Sequence, residues 1–96
     1  SYRAKELQLM KKILMFVMEG CPHCRDAKQY MEELFQSNPE YRELDIEIID
    51  EVKNPEIANT YDYYFVPTYY LDGEKFHEGV PSREMVADLF KKAYES

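Results

Sequence analysis

The run Ile13-Leu14-Met15-Phe16-Val17-Met18 is apolar at every position and passes directly into Glu19-Gly20-Cys21-Pro22-His23-Cys24. A short, uniformly apolar run suits a strand covered on both faces, at the centre of a sheet rather than its edge. The C-terminal end of a central strand is where open α/β sheets place their reacting groups. Pro22 fits the first position of a helix, because it has no N–H to leave unpaired there. Both cysteines of the chain therefore fall at a strand-to-helix corner, Cys21 at the helix N-terminus and Cys24 one turn inside it. Two thiols at that spacing predict a thiol–disulfide redox pair.

Beyond the corner, Cys24, Ala27, Met31, Leu34 and Phe35 recur at helical spacing, with Arg25, Asp26, Lys28, Glu32 and Glu33 opposite them, until Ser37-Asn38-Pro39 ends the helix. Leu44 to Asp50 alternates apolar and acidic residues as far as Ile49, the pattern of a strand near a sheet edge. Asn54-Pro55 opens a short helix, Glu56 to Tyr61, with Ile57, Ala58 and Tyr61 expected on its inner side. Tyr63 to Leu71 predicts a strand, Gly73 a tight turn, and Lys75-Phe76-His77 a returning strand. In the last helix Ser82 is the expected N-cap, and Met85, Val86, Leu89, Phe90 and Ala93 form the buried stripe. The order β-α-β-α-β-β-α predicts an α/β fold with a four-stranded mixed sheet flanked by helices on both faces. Residues 10–96 are read as one domain. Residues 1–9, ahead of Met10-Lys11-Lys12, are read as an added arm or an expression remnant.

With 19 acidic against 12 basic residues, the net charge of −7 disfavours nucleic acid or an anionic membrane surface as a partner. Soluble proteins or small thiols fit better. No apolar run approaches the roughly 20 residues that cross a bilayer, and residues 1–9 lack the apolar core of a secretory signal. The expectation is a cytoplasmic monomer, a setting in which a lone Cys pair is more often catalytic than structural.

This element order, with Cys21-Pro22-His23-Cys24 after the first strand and Val66-Pro67-Thr68 opening the third, resembles the thioredoxin superfamily at its minimal, glutaredoxin-like size. The resemblance covers about residues 11 to 94. Phe16, Glu19, Asn54-Pro55, Ala58, Tyr61, Gly73 and Gly79-Val80-Pro81-Ser82 also look like thioredoxin in type and spacing. From the residues alone Pro67 also fits a trans proline at a strand start. The resemblance implies a cis peptide before Pro67, which would then face the Cys pair, with the Val66 backbone offered to an extended substrate segment. Val66, Pro67, Thr68 and Gly79 are thus the expected substrate-binding residues. Three departures matter. Met15 stands where thioredoxins carry a buried acid. Met18 stands where glutaredoxins carry a basic residue, and Glu78-Gly79-Val80-Pro81-Ser82 replaces their Gly-Gly-x-Asp-Asp type stretch. The recognisable glutathione contacts are therefore not matched, which favours protein disulfides. The His in the motif resembles disulfide-introducing oxidases, whose large helical insertion this chain has no room for.

The thiolate is the attacking species, so reactivity depends on lowering the Cys21 pKa from the usual value of about 8.5. The helix N-terminus stabilises an anion there, His23 pushes the same way, and Glu19 weakly opposes it through screened solvent. Cys21 is the expected nucleophile and Cys24, on the apolar side, the resolving thiol; Pro22 and His23 complete the catalytic set. The resemblance implies no tightly bound cofactor. It implies disulfide-containing proteins or glutathione mixed disulfides as partners, and recycling by a thioredoxin-reductase-like protein or by glutathione as co-substrate. Two other classes use the same residues: an iron–sulfur cluster or metal held through Cys21 across a dimer, and a redox sensor with one dedicated partner. Zinc prefers four ligands, and Cys21, Cys24, His23 and His77 form no recognisable ligand set, so no metal ligand is assigned. Phe65 is the site candidate of the aromatic run; His77, Glu19 and the acidic face from Glu43 to Glu51 read as solvated surface.

Overall fold

The computed structural model describes residues 10–95, so the expectation for residues 1–9 lies outside the described residues. Strand β1 (Ile13–Val17) leads into helix α1 (Pro22–Ser37), a 3₁₀ turn (Pro39–Glu43) and strand β2 (Ile46–Asp50). Helix α2 (Pro55–Ala58), strands β3 (Thr68–Leu71) and β4 (Glu74–Glu78) and helix α3 (Arg83–Glu95) follow. The sheet order is β2-β1-β3-β4, with β1 parallel to β2 and antiparallel to β3, and β3 antiparallel to β4. The parallel pair needs a crossover, which α1 supplies. The uniformly apolar β1 is indeed central, and Ile13, Met15 and Phe16 are fully buried.

Alternate residues of β1 serve two cores. Ile13, Met15 and Val17 join Cys24, Ala27, Met31, Tyr69, Val86, Leu89, Phe90 and Ala93 beneath α1 and α3. On the other face Phe16 meets Ile49, Ala58 and Tyr70. Its ring stacks on Tyr63 at 4.8 Å and lies 4.9 Å from that of Tyr61, so aromatic packing thickens a face that α2 is too short to cover. Arg83 ties α3 to α1 through Glu33, at 2.9 Å, and lies over the Tyr30 ring.

Several boundaries differ from expectation for physical reasons. The aromatic run is a strand only from Thr68 onward; Pro67 has no N–H for a ladder, and the residues ahead of it bond elsewhere. β1 stops at Val17, leaving Met18 40% exposed. β2 starts at Ile46 rather than Leu44, because residues 39–43 close a 3₁₀ turn that no hydrophobic period announced. α2 spans a single turn, and Ile57 is exposed rather than inward, so that Ala58 and Tyr61 alone meet the aromatic core. β4 extends one residue further at each end than expected, to Glu74 and Glu78. Ser82 caps α3 as expected, its hydroxyl accepting the Met85 N–H at 3.1 Å.

Candidate active site

Gly20, with φ +75°, occupies the left-handed region and turns the chain out of the sheet toward α1. Cys21 is then the N-cap, and its Sγ occupies the place that a Ser or Asp oxygen takes in an ordinary cap. The Cys24 N–H donates to that sulfur at 3.1 Å. Pro22 fills the first helical position, and the first turn holds no acidic residue to oppose charge on the sulfur. The nearest acid before the motif, Glu19, lies 3.8 Å from Lys53 on open surface, which further weakens its opposition.

Cys21 and Cys24 form a disulfide with Cα atoms 5.2 Å apart, an ordinary separation for such a bond. The two sulfurs differ in access: Cys21 is part-exposed at the corner, whereas Cys24 is 3% exposed and belongs to the larger core. His23 is exposed on the first turn. Met15, in the place of the buried acid, is fully buried and supplies no proton acceptor. Opposite it in the ladder, the Tyr69 hydroxyl donates to Met31 Sδ at 3.3 Å, and burial pushes that phenol's pKa up, so it stays protonated.

Facing the corner is a strap, residues 64–67. The Val66–Pro67 peptide is cis, as the resemblance implied, and the Val66 carbonyl oxygen lies 3.7 Å from Cys21 Sγ. In the disulfide that sulfur carries no proton, so the approach is a contact; the reduced thiol can donate across it. Of the expected binding residues, Val66 is the one turned toward sulfur. Pro67 and Thr68 are fully buried. The Thr68 hydroxyl donates to the Phe65 carbonyl, holding the strap from behind. Gly79, at φ +94°, donates its N–H to the Pro67 carbonyl at 2.9 Å. His77 stays outside the site and donates a ring N–H to the Val80 carbonyl at 2.8 Å.

Glu78, which in sequence was only part of an unmatched stretch, meets this strap directly. Its Oε2 accepts the Tyr64 N–H at 2.6 Å and the Phe65 N–H at 2.9 Å, while Oε1 lies 2.7 Å from Lys75 Nζ. The Lys75 ammonium and the two amides hold the carboxyl at about 2, well below its ordinary range. No local signal marks such a residue; an acid at a strand end reads as surface. Phe65 is 68% and Tyr64 87% exposed, so both side chains stand in solvent while their amides are held. Among the described residues no helix is long and apolar enough to cross a membrane, and no three His, Cys, Asp or Glu side chains gather as a metal site.

The family model of the thioredoxin domain matches residues 11–91. A thioredoxin from Methanocaldococcus jannaschii is 33% identical over 81 residues, covering 84% of this chain and 93% of that protein. The solution structure of oxidised thioredoxin from Plasmodium falciparum superposes with a TM-score of 0.65 at 19% identity, covering 95% of this chain and 88% of the other. A thioredoxin variant from Halobacterium salinarum NRC-1 gives 0.66 at 20% identity, covering 100% and 87%. These two structures speak to the fold alone. The family match and the 33% identical relative do more. With its paired cysteines at the strand-to-helix corner, the chain belongs to the thioredoxin family, and the Cys21–Cys24 pair supports thiol–disulfide oxidoreduction.

Proposed function

We propose that this protein reduces protein disulfides by two-cysteine exchange, as a cytoplasmic monomer recycled by an external reductase. The observation that carries the reading is the pairing of an N-capping Cys21 sulfur, bonded to the Cys24 N–H, with the Val66 carbonyl 3.7 Å away. In the reduced protein the Cys21 thiolate attacks one sulfur of a substrate disulfide. A Cys21–substrate disulfide forms, and the other substrate sulfur leaves as a thiolate. Cys24 then loses its proton and attacks Cys21 Sγ. The intramolecular disulfide seen in this structure forms, and the second substrate thiolate is released. Two electrons pass to the substrate, whose sulfurs take up two protons. A dithiol donor returns the pair to its reduced state, so the electrons need no bound cofactor.

The amide at Cys24 and the α1 N-terminus favour the thiolate at Cys21, and burial of Cys24 holds its proton until the mixed disulfide forms. His23, exposed on the same turn, favours the thiolate further; His23→Ala is expected to move the midpoint of the rate–pH profile upward. A substrate segment in extended form lies along Val66 and adds its backbone hydrogen bonds there. The unmatched glutathione contacts at Met18 and at residues 78–82 support protein disulfides over glutathione adducts as substrate.

The test is equilibration in glutathione redox buffers together with turnover of insulin disulfides. Insulin reduction with no persistent glutathione adduct on Cys21 is expected. A readily isolated Cys21–glutathione adduct, with faster turnover of glutathione mixed disulfides than of insulin, would overturn the reading in favour of glutaredoxin-type work.

A further inference from the structure

The strap that faces Cys21 is not held by the ladder that holds the rest of the sheet. Tyr64 and Phe65 precede β3, and their N–H groups converge on one oxygen of Glu78, at 2.6 and 2.9 Å. Successive amides aimed at one point form a concavity for an anion, and here the chain fills it with its own carboxylate. Glu78 is itself well placed to reach them. It is the last residue of β4, opposite Thr68 in the register, and the next residue, Gly79, bonds the Pro67 carbonyl. Its second oxygen pairs with Lys75, which offsets the charge that the edge strand would otherwise carry. Four groups of the strap are thus engaged: the Tyr64 and Phe65 N–H groups by Glu78, the Phe65 carbonyl by Thr68, and the Pro67 carbonyl by Gly79. Val66, whose carbonyl faces Cys21 Sγ, lies between these anchors.

We propose that Glu78 is a positioning residue for protein substrates: by holding the two amides before Val66, it fixes the edge on which an extended substrate segment is read. The inference rests on the protein-disulfide reading above and adds the residue that makes docking selective. Charge-assisted hydrogen bonds to ionised groups are the strong ones, and two on one oxygen restrict the strap more than a single neutral bond would. A further effect is subtractive. With the Tyr64 and Phe65 N–H groups occupied, a substrate backbone has Val66 to pair with and no adjoining donor to slip onto. A small disulfide, which needs no backbone pairing, gains nothing from this arrangement.

The experiment compares parent, Glu78→Ala and Glu78→Gln with two substrates, insulin and the small aromatic disulfide DTNB, and follows amide exchange at Tyr64 and Phe65. The parent alone tests the dithiol reading. If it reduces neither substrate, that reading fails and the proposal falls with it. Given an active parent, Glu78→Ala is expected to lower the insulin-to-DTNB ratio of kcat/KM about tenfold, through a raised KM for insulin. Tyr64 and Phe65 amides are expected to be protected in the parent and to exchange freely in the variant. Glu78→Gln, which keeps an acceptor but loses the charge, should fall between them and covers the case in which the alanine variant does not fold. Equal losses on both substrates would show a general structural role and overturn the proposal. So would a folded variant whose insulin-to-DTNB ratio stays within twofold of parent, or a parent whose two amides are unprotected.

Discussion

The two walls of the site are built by different means. On the motif wall the hydrogen bonds that order the turn are local: the Cys24 N–H reaches Cys21 Sγ three residues back, Arg25 N–H reaches the Cys21 carbonyl at 3.1 Å, and the disulfide closes the same turn. On the strap wall, Glu78 reaches across 13 and 14 residues to Phe65 and Tyr64, and the Gly79 N–H returns to Pro67. A helix N-terminus organises itself from adjacent residues, whereas a segment outside the ladder must borrow partners from wherever the fold brings them. On the function proposed above, the Cys21 thiolate is favoured by groups adjacent in sequence, whereas the strap that would meet a substrate is held by tertiary ones.

The largest effect expected on this contrast is at the motif wall. Cys21→Ser should bring exchange with insulin and with DTNB to background alike, because the attacking atom is gone. Cys24→Ser should leave the first attack intact and accumulate a mixed disulfide visible on non-reducing gels. Normal turnover by the Cys21→Ser protein would erase the division of labour. On the strap wall, Thr68→Val keeps the shape but removes the donor to the Phe65 carbonyl, and should cost about 1 kcal/mol in urea unfolding. No change in stability or in Phe65 exchange would mean that Glu78 and Gly79 suffice to hold the strap.

The smallest effect is in acid. The Glu78 carboxyl has an ordinary value of 4.5 and is held at about 2 in the fold. A depressed value means that the unfolded chain binds the proton more readily. The Glu78 contribution is therefore complete above about 4.5 and is lost as pH falls through about 2. The stability difference between parent and Glu78→Gln should narrow across that window. A difference independent of pH would show that the carboxylate charge does not hold the strap.

Much of the sheet was legible in sequence because its signals are short-range. The apolar run of β1 identified a central strand, and Cys24, Ala27 and Met31 marked the buried side of α1 by helical spacing alone. The same reasoning failed where a residue's surroundings decide its burial. Ile57 has the right spacing to face inward, yet a single-turn α2 leaves it 38% exposed. The alternation around Ile46 and Ile48 did mark a strand near the sheet edge, where β2 lies and Ile48 is 46% exposed. Tyr63 reads as strand, but its ring stacks on Phe16 and its hydroxyl donates to Glu51 at 2.8 Å, contacts made from irregular chain ahead of β3. At the site, the motif was legible, and the Val66–Pro67 geometry followed from resemblance; Glu78 was not, since a carboxylate acquires that role only when two amides point at it.

By itself, then, the sequence determined the strand-to-helix corner, the redox pair on it and the different burial of its two sulfurs, because glycine, proline and helical periodicity act within a few residues. Tertiary structure alone decided what faces that pair. The hairpin of β3 and β4 brings Glu78 beside the strap and opposite Thr68, and hydrogen bonds between residues so far apart exist only once the sheet has formed.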